Sequence, residues 1–172
     1  MKKSICCIAL AFAVVLAGPL PPRASAASGD EVQIDALYQK FAAAFRRKDV
    51  DGIMALYLPG KTLFVFDVSP PREHVGWNDY RDDWRQLFAS MKGAEPGFTI
   101  SELSVVVDGD VAYTHSIQHV TIAASKSAPA SKLVVRVTDV LRKIAGKWLV
   151  VQEHVSVPVD LNTGRADLTS RP

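Results

Sequence analysis

The sequence predicts an α+β domain in which three N-terminal helices pack against one face of a long, curved antiparallel sheet. Two observations predict this class. Apolar residues recur at helical spacing in the first part of the chain, and long alternating stretches separated by glycine-containing turns follow in the second part. A length of 172 residues fits one such domain with short flanking segments.

The first 26 residues have the pattern of a secretory signal peptide. Lys2 and Lys3 precede an apolar stretch over residues 5–18, and Ala-Ser-Ala at residues 24–26 supplies the small residues of a cleavage site. The apolar stretch is shorter than the ~20 residues of a membrane-spanning helix, and an uncleaved anchor is the alternative reading. We therefore expect an exported protein, periplasmic or secreted, with no membrane association after cleavage.

Removal of this segment changes the charge and the cysteine content. Lys2, Lys3 and Arg23 leave with it, so the 20 basic residues fall to 17 against 18 acidic ones, and the net charge becomes −1 in place of +2. Cys6 and Cys7 leave as well. The mature chain has no basic cluster of the kind that binds nucleic acid, and it is excluded as a disulfide scaffold, a thiol enzyme or a cysteine metal site.

Capping signals mark the predicted helices. Ser28 and Glu31 match a capping box, after which apolar residues recur at helical spacing over residues 34–45. Asp49 is the predicted N-cap of a second, short helix that runs through Tyr57. A brief strand over residues 62–67 and a proline-containing loop follow. A third helix with one aromatic face then spans residues 77–91.

The second half of the chain predicts an antiparallel meander of four strands. Asp108-Gly109 and Ala145-Gly146 supply hairpin turns, a loop rich in serine and alanine joins the middle strands, and Pro158 ends the last strand. The four strands span residues 98–107, 111–122, 133–144 and 147–157. The resulting division is a signal peptide (1–26), a domain (27–158) and a polar C-terminal tail (159–172).

Alternation predicts which side chains face the helices. The odd positions of the three last strands are the bulkier and more apolar set, so we place them on the helix-facing side. On the fourth strand the even face carries Trp148 and His154, and we expect this face to be outside and to contact a second subunit.

Four polar residues share the predicted inner face: His115, His119, Asp139 and Glu153. A hairpin centred near residue 127 pairs His115 with Asp139, and cross-strand partners have Cβ atoms ~5 Å apart. The sequence therefore predicts a His-Asp dyad suited to acid–base chemistry. The alternative is a buried pair whose members satisfy each other and have only a structural role.

Two histidines and one further aspartate are also candidates for a metal site or for acid–base chemistry. His115 and His119 are four residues apart, which on a strand means ~13 Å, too far for one ion, so no metal and no other cofactor is expected. Asp67 follows an apolar run at residues 63–66, where burial would raise its pKa toward that of a general base. The alternative for Asp67 is a turn residue before Ser69 and Pro70.

Several sequence strings resemble SnoaL-like and ketosteroid-isomerase-like proteins of the nuclear transport factor 2-like superfamily. These strings are FAAAFRRKDVDGIMALY (41–57), LFVFDVSPPREHVGW (63–77), TDV (138–140) and GKWLVVQEHVSVP (146–158). The resemblance extends from about Glu31 to Pro158. It implies a cone formed by a strongly curved sheet and three helices around an apolar pocket, usually in a homodimer.

The resemblance to ketosteroid isomerase also implies roles for individual residues. The general-base aspartate falls on Asp67, and the hydrogen-bond-donating aspartate falls on Asp139. The oxyanion-hole tyrosine falls on Phe41, which has no hydroxyl to donate, and His115 replaces an aromatic wall residue. These departures argue against steroid isomerisation. Similar scytalone-dehydratase-like proteins use histidine and aspartate, which makes lyase chemistry an alternative.

The sequence thus predicts a protein that binds a small, largely apolar molecule, with cofactor-free isomerase- or dehydratase-like chemistry carried by Asp67, His115 and Asp139. The alternative is a non-catalytic module for ligand binding or dimerisation. The expected partners are the small ligand and a second copy of the chain. The predicted pocket contacts are Phe41, Tyr57, Trp84, Phe88, Ile117, His119, Val137, Val151, Glu153 and Val155.

Overall fold

A computed structural model describes residues 29–91, 93–123 and 130–170. Its helices are α1 (Gly29–Arg46), α2 (Val50–Met54) and α3 (Trp77–Ser90). Its strands are β1 (Phe64–Phe66), β2 (His74–Val75), β3 (Glu95–Asp108), β4 (Val111–Ala123), β5 (Ala130–Ile144), β6 (Lys147–Ser156), β7 (Val159–Asp160) and β8 (Arg165–Ala166). The predicted α+β class is confirmed. The signal-peptide pattern, the Ser28 cap and most of the loop at residues 123–131 lie outside the described residues.

One six-stranded sheet forms the body of the domain, in the order β2-β1-β6-β5-β4-β3. Strands β3 to β6 form the predicted antiparallel meander, while β1 lies parallel to β6. The strand register shifts at two places: in the β3–β4 pair between Ser101 and Ser104, and in the β5–β6 pair between Val140 and Leu141. Such bulges bend and twist long strands, and here they accompany a curved sheet with the helices on its concave face.

The start of α2 follows the sequence signal, but its end does not. The Asp49 side chain accepts a hydrogen bond from Gly52 N at 2.8 Å, as an N-cap does. The helix stops at Met54, three residues before the predicted end at Tyr57. Beyond it, Leu58 N donates to Val150 O, and Val150 N donates to Leu56 O. These backbone bonds attach the segment to the edge of β6 and end the helix.

An aromatic cluster joins the helices to the sheet. Phe45 lies at its centre, with ring centroids 4.6 Å from Phe98, 5.5 Å from Phe88 and 5.9 Å from Trp84. Phe41 contacts both Trp84 and Phe98. The cluster therefore connects α1, α3 and β3, with several of the tilted or edge-to-face arrangements that aromatic rings prefer.

The predicted inner face is correct for β5 and wrong for β4. On β5 the odd positions from Val135 to Leu141 are buried, whereas on β4 the buried residues are the even ones, including Thr114 and Gln118. The β4–β5 register pairs Thr114 with Asp139, one residue away from the predicted pairing. Because successive side chains alternate between faces, this difference turns every odd residue of β4 outward.

On β6 the inner face changes along the strand. Trp148 and Val150 are buried, Val140 pairs with Gln152, and Leu141 pairs with Val150, so Val151 is an extra, bulged residue. Beyond the bulge Glu153 points inward. The prediction that Trp148 lies on the outer face is therefore wrong. Its Nε1 donates to Asp30 Oδ1 at 3.0 Å.

The C-terminal tail contains the β7–β8 hairpin and is attached to the sheet by a bond from Val134 N to Leu168 O. Among the described residues, no helix has the length and hydropathy required to cross a membrane.

Truncation of the central aromatic residue tests the packing. We expect Phe45→Ala to lower the free energy of unfolding by about 3–5 kcal/mol, because it removes a ring that contacts three others. Leu161→Ala, at an exposed position of the tail, should change it by less than about 0.5 kcal/mol. Urea denaturation measures both values. A Phe45→Ala loss no larger than that of Leu161→Ala contradicts the cluster.

Candidate functional site

A row of polar side chains crosses the inner face of the sheet. It consists of Glu153 on β6, Asp139 on β5 and Thr114 on β4, and the register makes each the direct partner of the next. Their exposed fractions are 5%, 2% and 1%. Two carboxyl groups are therefore adjacent in the interior, where burial of charge is costly unless protons or hydrogen bonds compensate it. We call these three residues the polar row.

Three tyrosines, one from each helical segment, donate hydrogen bonds to the polar row. Tyr38 of α1 donates to Asp139 Oδ2 at 2.6 Å, and its oxygen also contacts the Thr114 hydroxyl. Tyr57, just after α2, donates to Glu153 Oε2 at 2.6 Å. Tyr80 of α3 donates to Glu153 Oε1 at 2.7 Å. The hydroxyls fix the carboxyl groups and attach all three helical segments to the sheet.

The two carboxyl groups lose their protons at higher pH than ordinary carboxyl groups. Burial raises the pKa of Glu153 to about 8, with a further contribution from the Asp139 charge, and burial raises the pKa of Asp139 to about 6. The hydrogen bond from Tyr38 opposes this rise in the pKa of Asp139. Asp139 Oδ1 is buried and has no hydrogen-bond partner among the described residues. Because Asp139 and Glu153 are direct cross-strand partners and the Asp139 charge raises the pKa of Glu153, the pair titrates as a unit.

A cavity of about 530 Å³ opens beside the polar row, between α1, α3 and the sheet. Its walls are mainly apolar. Glu153 and Tyr80 line the cavity on the side next to the polar row. Further polar groups on its surface include Asp67, Ser69, Asp83 and Gln118. The apolar wall residues include Phe41, Trp84, Phe98, Leu133, Val135 and Val155.

Asp67 faces this cavity from the end of β1. Val65 pairs with Glu153 in the parallel β1–β6 register, and Asp67 lies two residues further, ~7 Å along the strand and on the same face. Burial raises the pKa of Asp67, while the backbone N–H of Val68 opposes this shift by donating to its carboxylate. Asp67 and Glu153 are thus two cavity carboxyl groups with different environments.

The structure divides the predicted site residues into three groups. Five line the cavity: Asp67, Phe41, Trp84, Glu153 and Val155. Four are buried but do not line it: Tyr57, Phe88, Val137 and Asp139. The remaining four do not line it either: Val151 is the bulged residue, and His115, Ile117 and His119 occupy the outward face of β4.

The predicted His115–Asp139 dyad is wrong. His115 pairs with Thr138 and is exposed, whereas Asp139 is buried on the opposite face of the sheet. The prediction assumed a symmetric connection between β4 and β5, and the actual register differs by one residue. His119 also points away from the cavity, and its Nε2 lies 3.0 Å from Ser101 Oγ.

Sequence reasoning missed most of the groups around the carboxyls. In the sequence, Tyr38 and Tyr80 are members of apolar helical faces, and no motif or spacing singles out His74 or Asp83. A usable signal was present, because three of the four tyrosines lie at positions of helical segments that face the core. Buried tyrosines usually find a partner for their hydroxyl, so they point to polar groups in the interior.

A second, more open groove of about 650 Å³ lies between α1, α2 and the β5–β6 turn. Its charged lining residues are Lys40, Arg47 and Lys147. It has no carboxyl group and none of the tyrosines of the polar row, and we therefore assign the candidate site to the cavity.

The chain belongs to the SnoaL-like domain family, whose model matches residues 34–160. The fold and the cavity of the described residues agree with this membership. No curated protein matches the chain.

Solved structures show the same fold. An NTF2-like protein of unknown function from Pseudomonas putida KT2440 is 26% identical, with a TM-score of 0.74 over 83% of this chain and 96% of that chain. A ketosteroid isomerase-like protein from Erwinia carotovora atroseptica is 20% identical, with a TM-score of 0.59 over 74% and 95%. A suggested dehydratase of the NTF2-like family from Streptomyces avermitilis is 18% identical, with a TM-score of 0.65 over 74% and 95%. The conical NTF2-like fold is thereby confirmed.

The buried carboxyl pair predicts how stability depends on pH. Between the ordinary glutamate pKa of 4.5 and the raised pKa of Glu153, the folded protein holds more protons than the unfolded chain. The neutral Glu153 carboxyl contributes its full stabilisation of the fold below that range, and this contribution is lost as the pH rises toward about 8. The unfolding free energy of the wild type should therefore fall across this pH range. We expect Glu153→Gln to reduce that fall by at least about 1.4 kcal/mol, the equivalent of one pKa unit.

Denaturant titrations at a series of pH values measure this difference. Glu102→Gln is the control, because Glu102 is an exposed carboxyl on β3, and its pH dependence should equal that of the wild type. An equally steep loss of stability in Glu153→Gln and in the wild type contradicts a neutral, buried Glu153.

Proposed function

We propose that this protein is an exported SnoaL-like domain that binds a small, largely apolar molecule in its cavity and catalyses isomerase- or dehydratase-like proton transfer with its own carboxyl groups. The observation that carries the proposal is the pair of cavity carboxyls, Asp67 and Glu153, held in different environments. A site with one ionisable base and one carboxyl kept neutral can remove a proton and donate another at the same pH.

The cavity walls indicate the chemical class of the ligand. Aromatic and aliphatic side chains form most of its surface, and about 530 Å³ accommodates a small cyclic compound. The ligand also needs a polar group. Trp84 lines the cavity, and its Nε1 is buried without an acceptor among the described residues. A carbonyl or hydroxyl oxygen of the ligand supplies that acceptor.

The proposed reaction uses the two carboxyls in opposite roles. Asp67 accepts a proton from a carbon next to a carbonyl group, and the electron pair of the broken C–H bond moves toward the carbonyl oxygen. Glu153, with Tyr80 beside it, stabilises that oxygen by donating a hydrogen bond. Return of the proton to another carbon gives isomerisation. Loss of a hydroxyl, which takes a proton from Glu153 and leaves as water, gives dehydration.

The structural neighbours agree with this class of chemistry. One is described as ketosteroid isomerase-like and another as a suggested dehydratase. In this chain Phe41 lines the cavity without a hydroxyl, and Tyr80 and Glu153 provide the polar groups instead. The second candidate function is binding without catalysis. The complete pairing of the Glu153 oxygens with Tyr57 and Tyr80 favours it.

Proton exchange tests catalysis without knowledge of the natural substrate. We expect the protein to accelerate deuterium exchange at the α-carbon of some members of a panel of cyclic ketones, followed by NMR. Asp67→Asn should lower that rate by at least about 100-fold, because it removes the base. The rate should rise as Asp67 ionises and fall as Glu153 loses its proton near its raised pKa, and Glu153→Gln should remove the alkaline fall.

His115→Gln is the matched control. His115 lies on the outer face of β4, so its replacement should leave the rate and its pH profile unchanged. Native mass spectrometry of the purified protein reports any bound small molecule. Ketones that bind without exchange, or an Asp67→Asn variant as fast as the wild type, would support the non-catalytic function and overturn the acid–base proposal.

We also propose that the protein forms a homodimer through the outer face of the sheet. Val106, Val111 and Tyr113 are 41%, 46% and 51% exposed, and Val106 and Tyr113 are direct partners across β3 and β4. A contiguous exposed apolar strip of this kind is typical of an interface. A second copy that covers this strip would also explain why the apolar side of β4 faces outward.

Sedimentation tests the dimer. We expect twice the mass of one chain for the wild type, and a monomer for Tyr113→Lys, because a lysine in the strip would bury its charge in the interface. Leu161→Lys, which adds the same charge on the exposed tail, should remain a dimer. A wild-type monomer at micromolar concentration contradicts the proposal.

A further inference from the structure

A second cluster of ligating groups lies at the edge of the cavity. Asp67 at the end of β1, His74 on β2 and Asp83 on α3 each place one possible ligand atom within 4.8 Å of the others. Three separate elements are needed to bring them together: the β1–β2 hairpin positions Asp67 and His74, and α3 packs Asp83 against them. His74 Nε2 lies 3.8 Å from Asp83 Oδ2, beyond hydrogen-bond distance.

His74 is buried, and one of its two ring nitrogens lacks a hydrogen-bond partner within the described part of the chain. It is 3% exposed, and its Nδ1 has no hydrogen-bond partner among the described residues. Asp79 Oδ2 lies 3.3 Å from Nδ1 and accepts a hydrogen bond from Val75 N instead. A carboxylate on the Nδ1 side favours the tautomer with the proton on that nitrogen. Nε2, which lies on the side of Asp83, then has a free lone pair, as in a histidine that ligates a metal.

Two negatively charged groups of the cluster lie close together at the cavity surface. Asp67 and Asp83 both line the cavity, and their carboxylates repel each other across the short distance between them. A bound cation removes this repulsion. Because both aspartates face the cavity, its remaining coordination positions would open to the ligand space.

We propose that Asp67, His74 and Asp83 form a binding site for one divalent transition-metal cation, such as Zn²⁺ or Mn²⁺. Two carboxylate oxygens and one imidazole nitrogen are donors that these borderline cations accept, and three protein ligands with open positions are the arrangement of catalytic rather than structural sites. The site is distinct from the polar row, and the proposal does not rest on catalysis by Asp67 and Glu153. The cation site and the proposed acid–base reaction share only Asp67, where a bound cation would compete with a proton.

Isothermal titration of the chelator-treated, untagged protein with ZnCl₂ and with MnCl₂ tests the site. We expect one equivalent of at least one of the two cations to bind. His74→Gln and Asp83→Asn should each weaken binding by at least about tenfold. Asp82→Asn is the matched control, because Asp82 neighbours Asp83 on α3 but pairs with Arg85 at the surface, and it should bind as the wild type does.

Two further measurements make the result decisive. Circular dichroism of the variants shows whether they fold. The absorption spectrum of Co²⁺-loaded Asp83→Asn, the milder substitution, should differ from that of the Co²⁺-loaded wild type. The absence of binding by both cations, or equal binding by wild type, His74→Gln and Asp83→Asn, would overturn the proposal. Glu153→Gln should retain the cation, so a changed pH profile of proton exchange in that variant bears on the acid–base proposal alone.

Discussion

The buried carboxyl pair of Glu153 and Asp139 is the interaction on which the rest of the structure depends. Two adjacent carboxyls in a protein interior are unfavourable unless one is neutral and the remaining oxygens receive donors. Tyr38, Tyr57 and Tyr80 provide those donors, and each comes from a different helical segment. The hydrogen bonds that make the pair tolerable therefore also position the helices over the sheet, and the cavity is the space left between them.

The bulge at Val151 makes this arrangement possible. Before it, β6 presents Trp148 and Val150 to the helices, and after it the strand presents Glu153 to the polar row. A regular strand would turn either the apolar residues or the glutamate outward, since the side-chain period is two. The same strand is the parallel partner of β1 and so sets the separation between Glu153 and Asp67. Irregularity in one strand thus serves both the core and the candidate site.

The fold was largely predictable from local patterns, and the site only in part. The third helix, the four meander strands, the Asp49 cap and the two hairpin turns follow from spacing and turn residues that act within a few positions. Asp67 and Glu153 stood out because a carboxyl in an apolar run is unusual. The His115 pairing failed because the register across a long loop depends on the whole sheet, and a shift of one residue exchanges the two faces. The cluster with His74 was not predictable from spacing, since its members come from a hairpin and a helix.

By itself, the sequence determined the α+β class, the order of the elements and the presence of isolated carboxyls among apolar residues. These properties depend on propensity, periodicity and turn chemistry, which are local. Tertiary structure decided which residues meet: Tyr38 with Asp139, Tyr80 with Glu153, and His74 with Asp83. It also decided which carboxyl stays neutral, because the pKa of a buried group is set by neighbours that lie far away in the chain. The chemistry of the site is therefore a property of the packed domain.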